Sequence, residues 1–295
     1  MRAFVTGASG FVGTWLTRHL EEVGDAAFAL GEGIDVTDTP AVAASIAAAS
    51  PDVIYHLAAL THVGDSWEAP EETFRVNAMG TLSVLEAARK AQRTPRIILV
   101  SSAEVYGPGE QVPIDETMPL RPVTPYAASK VAAEYLGLQA HLGRGIEVVR
   151  ARPFNHVGPG QSPNFVIAAL AKRLVEAERA GALEVSVGDL SPARDFTDVR
   201  DVVRAYRLLA EYGEPGEAYN VCSGEAVAIA TVFEELVMLS DHQVKAVVDP
   251  ALLRPVDVPV LVGEAKRLVS LTGWSRTIPL ETTLKDVLAD ARSRW

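Results

Sequence analysis

The sequence predicts an α/β protein built on a doubly wound parallel (Rossmann) sheet, with a smaller C-terminal lobe. Three observations carry this. Short apolar runs alternate with amphipathic stretches of helical length, the pattern of a parallel sheet covered on both faces. The first run, Arg2–Thr6, ends in Thr6-Gly7-Ala8-Ser9-Gly10-Phe11-Val12-Gly13 and leads into an amphipathic stretch, which reads as strand, glycine turn and helix. The 295 residues, 48% of them hydrophobic, suffice for one large α/β domain or two closely packed ones.

Each element follows from the pattern in order. Phe11–Val23 is the helix behind the glycine turn, and Ala26–Leu30 a second strand. Asp52–Leu57 is a buried third strand, preceded by a helix over 40–50. Residues 71–92 read as one long helix, 96–101 as a strand, 125–141 as a helix and 146–151 as a strand. Such sheets bind ligands beyond the carboxyl ends of their strands, so Thr6, Ala58, Ser102 and Pro153 should line one crevice. After Arg150 the pattern loosens into a loop with Pro153, Gly158, Pro159, Gly160 and Pro163. A helix over 165–180, a strand over 183–187, a helix over 199–212, a strand over 218–221 and a last helix near 280–292 follow. The expected division is a dinucleotide-binding domain over 1–152, with 190–220 returning to it. Residues 153–295 then form mainly a substrate-binding lobe.

Composition narrows the function. No apolar run reaches the roughly 18 residues of a membrane span, and the alanine-rich 41–49 ends at Ser50-Pro51. Met1–Gly10 already reads as strand and turn, not as a signal peptide. The single cysteine, Cys222, allows neither an internal disulfide nor a zinc cluster, so no metal is expected and a reducing, cytoplasmic setting is. A net charge of −11 argues against nucleic acid or an anionic membrane as partner. An anionic small ligand must then be held by a few local cations.

The glycine loop is the first site. Gly7 permits a tight turn, Gly10 lets a pyrophosphate approach the backbone and Gly13 lets helix and strand pack closely. Ser9, Phe11 and Val12 complete the loop. The acidic residue that would end the second strand and hold the adenosine ribose is not obvious. Leu30-Gly31-Glu32-Gly33 stands there and no arginine follows for a 2′-phosphate, so NADH and NADPH both stay open. Asp35 and Val36 are candidate adenine contacts, though Asp35 also suits a helix cap.

Tyr126 and Lys130 are the second site. Four residues apart on a helix, they put a phenol and an ammonium on one face. A neighbouring lysine is expected to lower a phenolic pKa that starts near ~10 and to make an acid/base for a sugar-like oxygen. Alone, a tyrosine after Pro125 and a solvated lysine would be unremarkable; behind a dinucleotide loop they imply hydride chemistry on an alcohol or ketone.

Five motifs in order and spacing resemble the extended short-chain dehydrogenase/reductase family. They are Thr6–Gly13, Leu57-Ala58-Ala59, Asn77-Ala78-Met79-Gly80-Thr81, Ser102-Ala103-Glu104-Val105-Tyr106-Gly107 and Tyr126-Ala127-Ala128-Ser129-Lys130. The resemblance spans essentially the whole chain. It implies that Tyr126 is the general acid/base, that Lys130 binds the nicotinamide ribose and tunes Tyr126, and that Ser102 holds the reacting oxygen. It also adds Leu57, Ala58, Ala59 and Pro153 to the cofactor contacts.

The later motifs resemble the nucleotide-sugar branch of the family: Arg152–Gln161, Val187-Gly188-Asp189, Arg194–Val199 and Arg254-Pro255-Val256-Asp257. Asn155, Arg194 and Arg254 would hold a substrate diphosphate and Asp257 a ribose hydroxyl. A guanidinium fork suits a phosphate, although a lone arginine is more often a surface ion pair. Within the branch the likeness is greatest to reductases of GDP-4-keto-6-deoxy-mannose, which make GDP-rhamnose, and of the C4 epimer, GDP-6-deoxytalose. Glu104 stands where dehydratases of the branch carry a base, so an NAD-dependent 4,6-dehydratase or 4-epimerase is the alternative; Ala103 before it departs from the dehydratase pattern. His62, with Ser66 close by, lies nearer the expected substrate, His56 reads as core or crevice wall, and Asn77 as a buried structural amide. The family resemblance also implies a homodimer through the helices bearing 77–92 and 126–141, where Ala127, Ala128, Ala132 and Ala133 would allow close packing.

Overall fold

The computed structural model describes residues 1–109, 112–253 and 258–295. The main sheet and its cover comprise β1 (Arg2–Thr6), α1 (Phe11–Glu22), β2 (Ala26–Ala29), α2 (Thr39–Ala49), β3 (Val53–His56), α3 (Val63–Glu68), α4 (Pro70–Phe74), α5 (Gly80–Lys90), β4 (Arg96–Val100), α6 (Pro125–Arg144) and β5 (Val148–Pro153). The chain continues through β6 (Asn155–Val157), α7 (Val166–Ala180), β7 (Glu184–Val187), β8 (Ala193–Asp198), α8 (Val199–Tyr212), β9 (Ala218–Val221), β10 (Ala226–Ala228), α9 (Ile229–Ser240), β11 (Lys245–Val248), β12 (Val260–Leu261), α10 (Lys266–Thr272) and α11 (Leu280–Arg294).

Six parallel strands form the main sheet in the order β2-β1-β3-β4-β5-β9. The order reverses at β1, so a crevice opens between the carboxyl ends of β1 and β3. The strands read as unbroken apolar runs because both faces are buried. Successive residues feed opposite faces. Ala3, Val5, Tyr55, Ile98 and Val149 pack beneath α1 and α8, against Leu16, Leu20, Val203 and Leu209. Phe4, Ile54, Ile97, Leu99 and Val148 pack beneath α2, α5 and α6.

The second lobe has its own core, in which Leu170 and Leu174 of α7, Leu236 of α9 and Leu284 and Leu288 of α11 pack on Val185 and Phe196. Its sheet runs β10-β8-β12, with β6 also paired to β8 and β7 paired separately to β11. Within 190–220, α8 covers the main sheet and β9 completes it, whereas β8 stays in the second lobe.

The helices Val63–Glu68, Ile229–Ser240 and Lys266–Thr272 and most strands of the second lobe go beyond the sequence reading, and two further departures bear on the site. The long helix over 71–92 is interrupted by a π-helical turn at Arg75–Met79. The loop after Pro153 contains a short strand, β6, that carries Asn155 across to the second lobe. Among the described residues no helix is long and apolar enough to cross a membrane.

Candidate active site

The glycine loop is held by β3. Gly7 has φ +72, and a Cβ there would lie 2.9 Å from Ala58 N, so only glycine fits the close approach of the two strand exits. A Cβ on Gly13 would meet Ala8 Cα at 2.7 Å, which fixes why α1 can lie directly on the loop. Gly10 caps α1 in extended conformation and its N–H donates to Gly7 O at 3.1 Å. The free amides of the first turn of α1 therefore face the loop's outer side, beside exposed Ser9 and half-buried Phe11 and Val12. A cradle that a Cβ would fill, at a helix N-terminus, fits a dinucleotide pyrophosphate.

A hydrogen-bond relay ties this loop to the sheet. Ala58 N–H donates to Thr6 Oγ1 (3.2 Å), and Thr6 Oγ1 lies 2.8 Å from His56 Nδ1. His56 Nε2 lies 3.0 Å from Thr81 Oγ1, whose own proton goes to Asn77 O (2.7 Å). Thr81 must then accept from Nε2–H, which leaves Nδ1 to accept from Thr6. His56 is thus a neutral wall residue with a defined tautomer; burial, aided by the Lys130 charge, lowers its pKa to about 3. Asn77 also accepts from Leu60 N (2.8 Å) and donates to Leu60 O (3.0 Å) and Ser129 Oγ (2.9 Å). It therefore locks the chain after β3 to α6, one residue before Lys130.

The adenine-side candidates divide. Asp35 is exposed and accepts from Thr37 N (2.9 Å), Thr37 Oγ1 (2.9 Å) and Arg75 Nη1 (2.9 Å). These partners, the Thr37 amide first, hold its carboxyl below the usual range. Val36 is buried beneath α5, where a Cβ on Gly80 would meet its Cγ1 at 2.7 Å. Leu57, Ala58 and Ala59 continue half-buried from β3, and Pro153 ends β5 buried beside Val221.

Ser102, Glu104, Tyr126 and Lys130 meet at the carboxyl end of β4. Thr124 caps α6 by accepting from Ala127 N (3.1 Å), and Pro125 occupies its first position, which places Tyr126 at the helix start. The Tyr126 hydroxyl shares a hydrogen bond with Ser102. Ser102 Oγ also accepts from Glu104 N (3.2 Å) and so caps the 3-10 turn Ala103–Tyr106. One turn along α6, Lys130 Nζ donates to Val100 O (2.9 Å).

The electrostatics correct the sequence reading. Burial raises the Tyr126 pKa above its ordinary value, with the Ser102 hydrogen bond opposing and the nearby Glu104 charge adding. The Lys130 ammonium donates to Val100 O in this state, and burial lowers its own pKa to about 8 against the pull of Glu134.

A cavity of about 420 Å³ opens from the start of β6 into the second lobe and is lined by His62, Asn155, His156, Phe165, Arg173 and Arg194, among others. Its lining includes none of Ser102, Tyr126 and Lys130. His62 caps α3 with Nδ1 2.7 Å from the Asp65 carboxylate, and its ring stands edge-on to Phe165. Arg194 is buried in the wall and donates to Ala193 O (2.9 Å) and Val258 O (2.7 Å). Ser66 does not face the cavity: it is buried and donates to Val63 O (2.7 Å), within its own helix. Arg254 and Asp257 lie outside the described residues.

Three features were missed by the sequence reading. Arg173 of α7 lines the cavity and donates only one described bond, to Ser186 O at 3.2 Å. On a helix with Lys172 beside it, a cavity-facing arginine has the same sequence signature as a solvated one. His156 stacks on Phe11 of the glycine loop, with ring centroids 6.1 Å apart, and so touches both crevice and cavity. Arg152 is a brace and not a ligand: it donates to Glu134 Oε2 (2.7 Å) and to the Tyr106 hydroxyl (2.9 Å), and Tyr106 donates to Asn220 Oδ1 (2.7 Å). This buried chain holds the 3-10 turn that carries Ser102 and Glu104.

Fold and site together define an NAD(P)-dependent oxidoreductase of the extended short-chain dehydrogenase/reductase type. The GDP-mannose 4,6 dehydratase family model matches residues 31–287, and the chain belongs to that family. It is 37% identical over 298 residues to GDP-6-deoxy-D-mannose reductase of Pseudomonas aeruginosa, covering 99% of this chain and 98% of the relative. It is 30% identical to GDP-6-deoxy-D-talose 4-dehydrogenase of Aggregatibacter actinomycetemcomitans, covering 92% of each. The solved structure of RMD from Pseudomonas aeruginosa complexed with NADPH matches with a TM-score of 0.93 at 35% identity, over 99% of each chain.

Proposed function

We propose that the chain reduces the C4 ketone of a GDP-4-keto-6-deoxy-mannose-type sugar with NADH or NADPH, giving GDP-rhamnose or its C4 epimer, GDP-6-deoxytalose. The observation that carries this is a buried Tyr126 hydrogen-bonded to Ser102 in a chain alike over its full length to a reductase. The glycine cradle would hold the dinucleotide's pyrophosphate, and the bound dinucleotide would supply the hydride that C4 accepts. Tyr126 donates its phenolic proton to the carbonyl oxygen, so ketone, hydride and proton sum to the alcohol. Ser102 holds that oxygen by hydrogen bond as charge develops on it. Lys130, charged below pH about 8, stabilises the phenolate left behind.

The cavity supports a nucleotide-diphosphate end group. Arg194, Arg173 and Asn155 converge on it, and an acidic chain of net charge −11 needs such local cations. Arg254 and Asp257 remain substrate ligands by family resemblance. The second reading, a dehydratase or epimerase, draws on Glu104, which is close enough to act on Tyr126.

Absorbance at the reduced-nicotinamide band, with purified protein and GDP-4-keto-6-deoxymannose, tests the main reading. Loss of absorbance supports reduction, and the C4 configuration of the product names the sugar. A keto-sugar formed from GDP-mannose with no such loss, abolished by Glu104→Gln, would establish the second reading instead.

We also infer a cytosolic homodimer through α5 and α6. Tyr135 and Leu142 of α6 are apolar and 56% and 74% exposed, and Met79, just before α5, is 52% exposed. Ala127 and Ala133 face the core and so do not contribute, whereas Ala128 and Ala132 are half-buried.

A further inference from the structure

We infer that the dinucleotide site prefers NADH over NADPH, because the loop after β2 meets the adenosine ribose with carboxylates and its one guanidinium is already engaged. This rests on the proposed dinucleotide-dependent activity. β2 runs beside β1, and Leu30 N–H donates to Val5 O at 3.2 Å, which brings the exit of β2 next to Thr6 and Gly7. In a sheet of this kind the adenosine ribose lies beyond that exit. From Ala26 to Asp38 the chain carries Glu32, Asp35 and Asp38 and no lysine, arginine or histidine. Glu32 is exposed on a turn made by Gly33 at φ +77, next to exposed Asp35. Asp38 is set aside as the cap of α2, accepting from Ala41 N at 3.1 Å.

Arg75 reaches this loop from the π-helical turn. Its Nη1 donates to Asp35 Oδ2 (2.9 Å) and Thr37 Oγ1 (2.6 Å), and its Nε and Nη2 fork onto Glu72 at 2.6 and 2.7 Å. Four of the roughly five N–H groups of a guanidinium are thereby used. A 2′-phosphate would have to displace Asp35 or Glu72 from Arg75 and face Glu32 as well. A ribose 2′-hydroxyl needs only an acceptor, and either carboxylate provides one. The Pseudomonas aeruginosa relative was solved with NADPH, so likeness to it does not predict this preference; residues 26–38 of this chain do.

The test is a calorimetric titration of the purified chain with NADH and with NADPH, which needs no sugar substrate. NADH should bind tighter by about tenfold or more, the scale of a like-charge juxtaposition. Glu32→Arg should narrow that ratio about tenfold, and Arg75→Gln should not weaken NADPH selectively. Equal or tighter NADPH binding, an unchanged ratio in Glu32→Arg, or selective NADPH loss in Arg75→Gln would overturn the inference. Tight NADH binding without turnover of the keto-sugar would count against the proposed substrate alone. Binding of neither dinucleotide would overturn both.

Discussion

At the scale of single residues, Tyr126 supplies a proton, and Lys130 pulls stability and activity in opposite directions as pH rises. Tyr126→Phe removes the proton donor while leaving the ring's packing. It should lower kcat by roughly 10²-fold or more with sugar-nucleotide affinity nearly unchanged; steady-state kinetics beside a binding titration would show it, and unaltered kcat would end the assignment. Lys130 gives a second readout. Its folded pKa of about 8 lies below the ordinary lysine value of 10.5. Burying the charged ammonium therefore costs stability below pH 8, a cost relieved as pH rises toward 10.5. Activity should behave the other way, falling above pH 8 as the charge that stabilises the phenolate is lost. The alkaline limb of kcat should accordingly move up in Lys130→Arg, whose guanidinium does not titrate there. Tyr126, Lys130 and Ser102 were readable because their chemistry depends on a fixed spacing along one helix and one strand end. The state of Tyr126 was not, since a lysine one helical turn away can instead bond a strand carbonyl, and only burial decides which effect wins.

At the scale of elements, β1, β3 and α5 are joined through His56, and this joint is acid-sensitive. The folded pKa is about 3 against an ordinary histidine value of 6.5. Below pH 6.5 the unfolded chain takes up a proton that the folded chain refuses, so stability is lost as pH falls, by up to about 1.4 kcal/mol per pH unit. Denaturant unfolding of the natural chain between pH 6.5 and 4.5 should show this slope. His56→Gln, less stable at neutral pH, should show a shallower one, and an identical slope would remove His56 from the account. The contact of α1 with the glycine loop makes a separate prediction. Gly13→Ala puts a methyl against backbone at Ala8 that cannot move aside, so helix and loop must separate. Dinucleotide affinity should fall at least tenfold with a measurable drop in Tm; a titration with unchanged affinity would show that α1 need not lie on the loop. The strands and main helices were readable because apolar period and glycine punctuation coincide. The π-helical turn at Arg75–Met79 was not, because it is set by tertiary partners: Asn77 to Leu60 and Ser129, and Arg75 to Asp35. The small strands of the second lobe, three residues in β6 and two in β12, are too short to carry a period.

At the scale of the whole molecule, two cores share one chain, and the crevice lies where β5 passes into β6. That crossing was visible only as a proline- and glycine-rich loop, since a three-residue strand is defined by its partner β8 and not by its own composition. The surface of α6 is different, because its exposed apolar side chains contradict the amphipathic pattern that a solvated helix should have. Leu142 is 74% exposed near the end of α6, and Tyr135, 56% exposed, lies two helical turns before it. Both contribute little to the monomer's own core, so exchanging them for charges should alter folding stability by about 0.5 kcal/mol or less. In a dimer through this face the same change would bury unpaired charge at the centre of the contact, where it costs far more. Light scattering on the natural chain should then give twice 31.5 kDa, and the Tyr135→Glu/Leu142→Glu variant should give a single subunit mass with an unchanged circular dichroism spectrum. Since Lys130 and Tyr126 sit on the opposite, buried side of α6, that monomer should keep dinucleotide affinity. A variant that stays dimeric would place the subunit contact on another face.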